Sequence, residues 1–404
     1  MTLKKNHLIL FGIIFYIFAA STFFDGSIFI KLSRVFVAGL FFVVILLERR
    51  VKIYAYYIWL LAFALMCVLS CIYAKNASVA KASAITMLVN AGTIISFLGL
   101  CYSSDSEDVP LIAMKALAIV SVILGLYVFG RFGVFVFLKS RFIESNGFNS
   151  NTLGLHSAVG AVLALWILIQ QKCKPNYRWI YYVCMAMNLA FVVLTSSRKA
   201  LVLLPVSLGL YYLLKSESWL KLLGKVLVVI AIVAVLWIAL TKIPFLYNLG
   251  GNRLEQLANT VFNEEKADGS TAFRFQLVEW GIDWFKQKPV LGYGADNYRV
   301  LVGHLDTWAG AGGTYAHNNF IEVLVDVGLV GFIIYYSMYF DVLRRFRKVV
   351  INKNSQKLIM GCIFIALFIS EYGIVSYNDK YIQLFYAIAW FTMCCPEKEE
   401  NRIV

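Results

Sequence analysis

The sequence predicts an all-α, polytopic membrane protein, and three observations support this prediction. Of the 404 residues, 60% are hydrophobic and only 15% are charged, whereas a typical soluble domain has about 25% charged residues. The mean hydropathy is +0.74. Apolar runs long enough to cross about 30 Å of hydrocarbon recur from one end of the chain to the other. A β-barrel would instead show short segments of alternating hydrophobicity.

The apolar runs predict about twelve transmembrane helices in a single integral membrane domain, residues 1–404. The first run has no small-residue cleavage site and is followed directly by the next one, so we expect it to be retained. Most connections are short, but residues 242–318 form a long loop of mixed polarity between the ninth and tenth spans. The predicted spans are 8–24, 28–47, 53–73, 82–101, 111–130, 152–170, 178–195, 198–214, 222–241, 319–340, 358–377 and 380–395.

The distribution of basic residues predicts the orientation in the membrane. The formal net charge of +14 would suit a nucleic-acid-binding protein, but Lys and Arg are concentrated in one set of short loops, as in cytoplasmic loops of membrane proteins. We therefore expect no nucleic-acid partner, both termini in the cytoplasm, and the 242–318 loop on the extracytoplasmic side. The acidic loop 103–108 falls on the cytoplasmic side, but acidic residues carry little weight in this rule.

The long loop contains an amphipathic segment, residues 271–287. Phe273, Leu277, Trp280 and Trp284 recur at helical spacing and form one apolar stripe. The two tryptophans suit a helix that lies at the level of the lipid headgroups. Pro289 is expected to end this helix.

Polar and titratable residues meet where the long loop enters the tenth span. His317 precedes the predicted helix start, where its imidazole can exchange protons near neutral pH. Glu322 and Asp326 follow on one helix face at hydrocarbon depth, so we expect them to face the protein interior. Pairing with Arg198 or another cation is a better explanation of the two carboxylates than catalysis.

Three segments resemble the core of the O-antigen ligase and O-antigen polymerase superfamily: TSSRKA, FRFQLVEWGIDWFKQKPVLGYGADNY and HNNFIEVLVDVGLVG. The resemblance is clearest over about residues 130–340. Members of this superfamily are polytopic glycosyltransferases of the GT-C type. They transfer a glycan from an undecaprenyl-diphosphate carrier to an acceptor on the outer side of the bacterial inner membrane.

The resemblance assigns roles to particular residues. It implies that His317 is the catalytic residue, that Arg198 and Arg274 bind the diphosphate, and that the reaction needs neither metal nor cofactor. This agrees with the residue chemistry, since arginine forks bind phosphate oxygens in pairs and a neutral histidine can accept a hydroxyl proton. The Asn-rich stretch of the family would add Asn151 to the site. A single displacement would invert the anomeric configuration.

Several other residues are candidates for substrate contact or for support of the site. The aromatic candidates suit stacking on sugars and anchoring at the membrane interface equally well. These further candidates are Arg141, Asn151, Tyr293, Tyr315, Asn318, Glu322 and Asp326.

The prediction is therefore a surface-polysaccharide polymerase of the bacterial inner membrane, acting on O-antigen, capsule or exopolysaccharide. Its expected partners are an undecaprenyl-diphosphate-linked oligosaccharide, an acceptor glycan or glycolipid, membrane lipid, and a chain-length regulator and flippase of the same pathway. A ligase that transfers the finished chain to lipid A-core is the closest alternative, since the same residues would serve it. A flippase for lipid-linked oligosaccharides is the alternative from another class, and it predicts a cationic path across the whole membrane.

Overall fold

The computed structural model describes residues 2–22, 27–48, 53–102, 109–133, 150–195, 197–244, 247, 251–252, 255, 258–259, 269–305 and 313–394. The regular elements of these residues are all helices. They are α1 (Thr2–Thr22), α2 (Ile28–Glu48), α3 (Ala55–Ser70), α4 (Ala77–Tyr102), α5 (Val109–Phe132), α6 (Ser150–Ile169), α7 (Arg178–Leu194), α8 (Arg198–Leu214), α9 (Trp219–Lys242), α10 (Gly269–Gln287), α11 (Tyr298–Gly303), α12 (Asn319–Asn352), α13 (Ser355–Ser370) and α14 (Lys380–Cys394), with a 3₁₀ turn at Pro175–Tyr177.

The helical fold class is confirmed, and the chain is a multi-pass membrane protein. In the part of the chain that the structure describes, seven helices are long and apolar enough to cross a membrane. Three shorter apolar helices lie at residues 6–22, 55–70 and 355–370. Each predicted span overlaps one of the helices, but the number of about twelve membrane crossings stays a prediction.

The main core lies where α5, α6, α8, α13 and α14 pack against one another and against α12. Helix α14 is the most enclosed of these, since its residues from Tyr381 to Met393 are all buried. Helix α9 lies at the edge and packs on α8, and none of its apolar window is buried within the protein. An apolar face that the protein leaves uncovered suits contact with lipid.

Helix α12 is interrupted at Gly328, where the backbone has φ +66° and ψ −170°. The kink breaks the helical hydrogen bonds around it, and the loop segment 289–294 supplies the missing partners. Tyr293 and Gly294 donate their N–H groups to the carbonyls of Val325 and Asp326. In return, the N–H groups of Leu329 and Val330 donate to the carbonyls of the loop. A side chain at Gly328 would lie 2.3 Å from the carbonyl oxygen of Val290, so this crossing requires glycine.

Helix α10 covers the segment that was predicted to form an amphipathic helix, and it ends at Gln287, two residues before Pro289. Its apolar stripe packs against protein. Leu277 is buried, and Phe273, Trp280 and Trp284 pack on a small second core that includes Tyr298 and residues of the α12 start. Contacts with protein thus account for the stripe, which the sequence had suggested would face the lipid headgroups.

The two ends of the helical bundle differ in chemistry. Helix α8 runs between them: it begins with Arg198 and Lys199, and the carbonyl of Leu214 near its other end accepts a hydrogen bond from Lys353. The Lys353 end also carries Arg344 and Arg345, which pair with Asp341. The first end holds the polar cavity described next.

Candidate functional site

A cavity of about 450 Å³ lies where several helices begin or end together. Its walls come from the start of α4, the start of α6, the connection between α13 and α14, and the segments before α11 and α12. The lining residues are Ala82, Ser83, Thr86, Asn151, Thr152, Leu155, His156, Lys199, Asp296, Arg299, Tyr315, Glu322, Ile374, Val375, Asn378, Asp379 and Ile382. The volume lies in the range of small-molecule pockets, about 300–1,000 Å³.

The turn before α8 brings two cations to this region. Arg198 is half-buried and donates a hydrogen bond of 3.1 Å to the hydroxyl of Thr271, one turn before Arg274 on α10. Lys199 lines the cavity itself. The turn packs closely against α6, because Gly154 of α6 leaves space for Thr195 and Ser197 that a side chain would fill. Close packing at a glycine therefore fixes the position of both cations.

His317 lies at the same place, directly before the start of α12. Burial, together with the smaller effects of the positive charges of Arg274 and Lys199, lowers the pKa of His317 to about 3. Its ring lies 4.1 Å, centroid to centroid, from that of Tyr315, which lines the cavity. Its Nδ1 atom is buried and has no hydrogen-bond partner among the described residues. The imidazole is thus neutral over the physiological pH range.

The backbone at His317 is held in an unusual conformation, with φ +53°, in the left-handed region. Glu322, one turn into α12, accepts a hydrogen bond from the N–H of the preceding residue, Ala316. Asn318 caps the helix by accepting from the N–H of Ile321 at 3.2 Å. These contacts on both sides fix the backbone from which the imidazole projects.

The two carboxylates of α12 face the interior, as expected, but their predicted pairing with Arg198 or another cation is wrong. Neither forms an ion pair within the described ranges. Asp326 accepts from the backbone N–H groups of Asp296 and Tyr298, at 2.8 and 2.7 Å, and from the hydroxyl of Tyr377 at 3.1 Å. Both carboxylates are buried, so backbone donors take the place of the cation and tie the long loop to α12.

A third buried carboxylate, Glu371 at the end of α13, supports the other side of α12. Its side chain accepts hydrogen bonds from a set of hydroxyl groups and from Asn319. Its backbone carbonyl also accepts from the N–H of Asn319 at 2.9 Å. The donors of the hydroxyl set are Tyr336, Tyr339, Ser376 and Tyr386. A carboxylate with this many donors holds the helix start rigidly.

The remaining candidates divide into three groups. Asn151 lines the cavity and accepts from the hydroxyl of Ser197 at 3.1 Å, and Tyr315 lines it beside His317. Tyr293 lies away from the cavity, buried in the small second core, with its hydroxyl 3.2 Å from Gln287. Arg141 lies outside the described residues.

The structure adds residues that sequence reasoning missed. Lys199 directly follows Arg198 in the sequence, so its place next to a predicted site residue could have indicated that it belongs to the site. Asp296 pairs with Arg299 at the cavity wall, and burial raises the pKa of Asp296 to about 6 although the Arg299 charge opposes this. Asp379 and His156 come from helices far apart in the chain. No local pattern could have brought them together.

The fold and the cavity define a class: a multi-pass helical membrane protein with a polar pocket at one end of the bundle, between a cationic turn and a neutral histidine. One protein-family model matches part of the chain. Residues 180–336 match the model described as O-antigen ligase. The match confirms the resemblance to the O-antigen ligase and polymerase superfamily over this segment, which holds Arg198, Arg274 and His317. The curated proteins contain no match to this chain.

The family match covers residues 180–336 and supports a membrane enzyme of the O-antigen ligase and polymerase type, a type that acts in polysaccharide biosynthesis. The matched family implies glycosyltransferase-like chemistry, with a lipid-linked glycan and an acceptor as substrates.

Proposed function

We propose that the protein is a metal-independent glycosyltransferase that uses an undecaprenyl-diphosphate-linked glycan as donor and a sugar hydroxyl as acceptor. The preferred activity is polymerisation of a surface polysaccharide in the bacterial inner membrane. One observation carries the proposal: the charges of Arg274 and Lys199 act on His317 beside a polar cavity, inside the segment that matches the family.

The cations suit the leaving group. A lipid diphosphate carries its negative charge on several oxygens, and planar guanidinium groups bind such oxygens in pairs without losing their own charge. Arg198 and Arg274 lie on two elements joined by the Arg198–Thr271 hydrogen bond. Lys199 is a further basic side chain at the cavity, and a diphosphate bound there would favour its protonated form. Together they would stabilise the charge that develops on the diphosphate as it leaves.

The histidine suits the acceptor. In the proposed step the acceptor oxygen forms a bond to the anomeric carbon while the bond from that carbon to the diphosphate oxygen breaks. The electron pair of the broken bond leaves with the diphosphate, and the hydroxyl proton goes to the imidazole of His317. A displacement from the opposite side inverts the anomeric configuration. His317 is neutral at physiological pH, so it is in the form that accepts a proton.

The positive-inside rule supports an extracytoplasmic site. The end of α8 opposite the cavity lies beside Lys353 and near Arg344 and Arg345. Such basic residues favour the cytoplasmic side. The cavity would then face the side on which lipid-linked glycans await transfer, with both chain termini in the cytoplasm.

The test uses the purified full-length protein and lipid-linked repeat units as the only sugar substrate. Products that increase in length one unit at a time would support the polymerase. Absence of any glycosidic product, with substrate merely moved across a vesicle bilayer, would instead support a flippase. Arg274→Ala, Lys199→Met and His317→Ala should each reduce transfer, and Lys286→Ala, an exposed cation on α10, should not.

A ligase is the second candidate, because the matched family model is described as O-antigen ligase. The same cations and base would serve transfer to a different acceptor. Adding lipid A-core to the assay separates the two functions. Transfer only in its presence would favour the ligase.

A further inference from the structure

The cavity has polar lining residues that neither diphosphate binding nor proton transfer in the proposed function requires. Part of its wall is built by α6 and by the α13–α14 connection, and most residues there are polar. Thr152 and His156 come from the first, and Asn378 and Asp379 from the second. Lys199 and Arg299 line the same cavity, and Lys199 lies beside the connection at Gly373.

Asp379 is held in place because it caps a helix. It begins α14 and accepts a hydrogen bond from the N–H of Ile382 at 2.9 Å, as a helix cap does. The cation whose charge acts on it, Lys380, is not a lining residue. The Asp379 side chain thus lines the cavity together with the hydroxyl of Thr152 and the amide of Asn378.

His156 gives an independent indication that a ligand belongs here. Its side chain is 1% exposed, and neither ring nitrogen has a hydrogen-bond partner among the described residues. Its ring stacks on Tyr381 with the centroids 3.5 Å apart. A buried imidazole without partners is costly, since each polar atom loses its contact with water. His156 lines the cavity, so a hydroxyl group of a bound molecule is the partner that would satisfy it.

The apolar lining residues limit the chemical class of ligand that fits the cavity. Leu155, Ile374, Val375 and Ile382 lie among the polar residues. A lipid tail would leave the polar groups of Asp379 and His156 without partners. A sugar ring has both kinds of surface, with hydroxyl groups at its edge and C–H groups on its faces, and the lining offers a partner for each.

We propose that this cavity is a sugar-binding subsite that selects an uncharged ring over a ring that bears a carboxylate, with Asp379 and His156 as specificity-determining residues. The proposal rests on the proposed function, because the subsite would hold the acceptor sugar next to His317. Sugar hydroxyls would donate to Asp379 and meet the free nitrogens of His156. A uronic acid would place its carboxylate against Asp379, and like charges in a buried site repel strongly.

The experiment measures binding alone, so it does not depend on transfer. Methyl glucoside and methyl glucuronide form one probe pair, and methyl galactoside and methyl galacturonide form a second; within a pair the sugars differ at C6 alone. Each is titrated at pH 8 into the purified full-length protein, with binding followed by ligand-observed NMR. For at least one pair we expect the neutral sugar to bind about ten-fold more tightly than the acidic one.

Asp379→Asn keeps the capping oxygen and removes the charge, so the preference should fall to about two-fold or less. His156→Phe keeps the ring stack and removes both nitrogens, so it should weaken neutral-sugar binding about five-fold and leave the preference intact. Asp283→Asn is the matched control, since Asp283 is exposed on α10 and pairs with Lys286. It should change neither quantity.

Three results would overturn the subsite: no binding of any of the four glycosides, equal binding within both pairs, or an unchanged preference in folded Asp379→Asn. If that variant does not fold, His156→Phe decides alone, and undiminished neutral-sugar binding would overturn the proposal. Failure of the proposed function is a separate result, namely no transfer from lipid-linked donors by a protein that still discriminates between these sugars.

Discussion

Glu322 accepts a hydrogen bond from the backbone N–H of Ala316, the residue directly before His317. The carboxylate is buried one turn inside α12 and so links the interior of the helix to the loop that precedes it. This contact and the left-handed conformation of His317 fix the backbone from which the imidazole projects.

Glu322→Gln should keep most of the transfer rate, because the amide oxygen can still accept from Ala316. Glu322→Leu leaves that N–H buried without a partner, which costs about 1–3 kcal/mol of stability. We expect its transfer rate to fall by about ten-fold or more, since the loop before α12 loses its anchor. Thermal unfolding and the transfer assay measure the two effects. Equal rates in the Gln and Leu variants would show that this contact does not position His317.

His317→Ala should lower the transfer rate by about 10²-fold or more, the usual range for loss of a general base. Binding of the lipid-linked donor should remain within about two-fold, because the cations are intact. The matched control is His304→Ala, an exposed histidine at the end of α11. Wild-type chain lengths made by His317→Ala would exclude the histidine as the base.

Arg198→Ala should weaken donor binding by about ten-fold or more, since it removes a charged hydrogen-bonding group worth roughly 1.5–3 kcal/mol. Arg198→Lys should restore only part of this, because lysine lacks the planar fork that binds two phosphate oxygens. Binding of the lipid-linked donor to protein in detergent measures both variants. Full recovery with lysine would mean that a single positive charge is sufficient at this position.

The pH profile of kcat/KM should show no acid limb near the ordinary histidine pKa of about 6.5, because the pKa of His317 lies near 3 in the unbound protein. The positive charge of Arg274 contributes to this lowering, so Arg274→Gln should raise the pKa. In the variant, protonation of His317 therefore begins at higher pH, and the acid-side decrease in kcat/KM shifts to higher pH.

Lys286→Gln serves as the control for charge, because Lys286 is on the same helix and is not among the causes of the His317 shift. It should leave the limb in place. An acid limb near pH 6.5 in both the wild-type protein and the Arg274 variant would contradict this electrostatic coupling.

Gly154→Ala should disrupt the site from a distance. The added methyl would lie 2.7 Å from the hydroxyl oxygen of Thr195 and 2.8 Å from Cβ of Ser197, so the turn that carries Arg198 and Lys199 must move. We expect donor binding and transfer to fall together. Gly92→Ala provides the same substitution in α4 with no atom within 4 Å, and it should behave as wild type.

The sequence predicted the helical class and the kind of enzyme because both depend on local signals. Hydrophobic runs have the length of a membrane crossing whatever their neighbours are, and the family segments keep their residues in order along the chain. The amphipathic helix was readable for the same reason, since its stripe repeats at helical spacing. What the stripe contacts was not readable, because a lipid surface and a protein core favour the same apolar residues.

The partners of the buried carboxylates could not be predicted either. Sequence reasoning assigned a cation to Glu322 and Asp326, because charge needs compensation in an apolar interior. Compensation instead comes from backbone N–H groups of the loop around Ala316 and Asp296, which exist in every residue and leave no mark in the sequence. Tyr293 was a surface candidate by its loop position and became a core residue by packing.

The sequence alone thus determined that this chain is a polytopic helical membrane protein with the family's Arg, Arg and His in order. Only the tertiary structure decided that Lys199 joins them and that Asp379 and His156 share their cavity. Helix starts that lie far apart in the chain meet at one end of the bundle, and such proximity depends on how whole helices pack, which no short stretch of residues encodes.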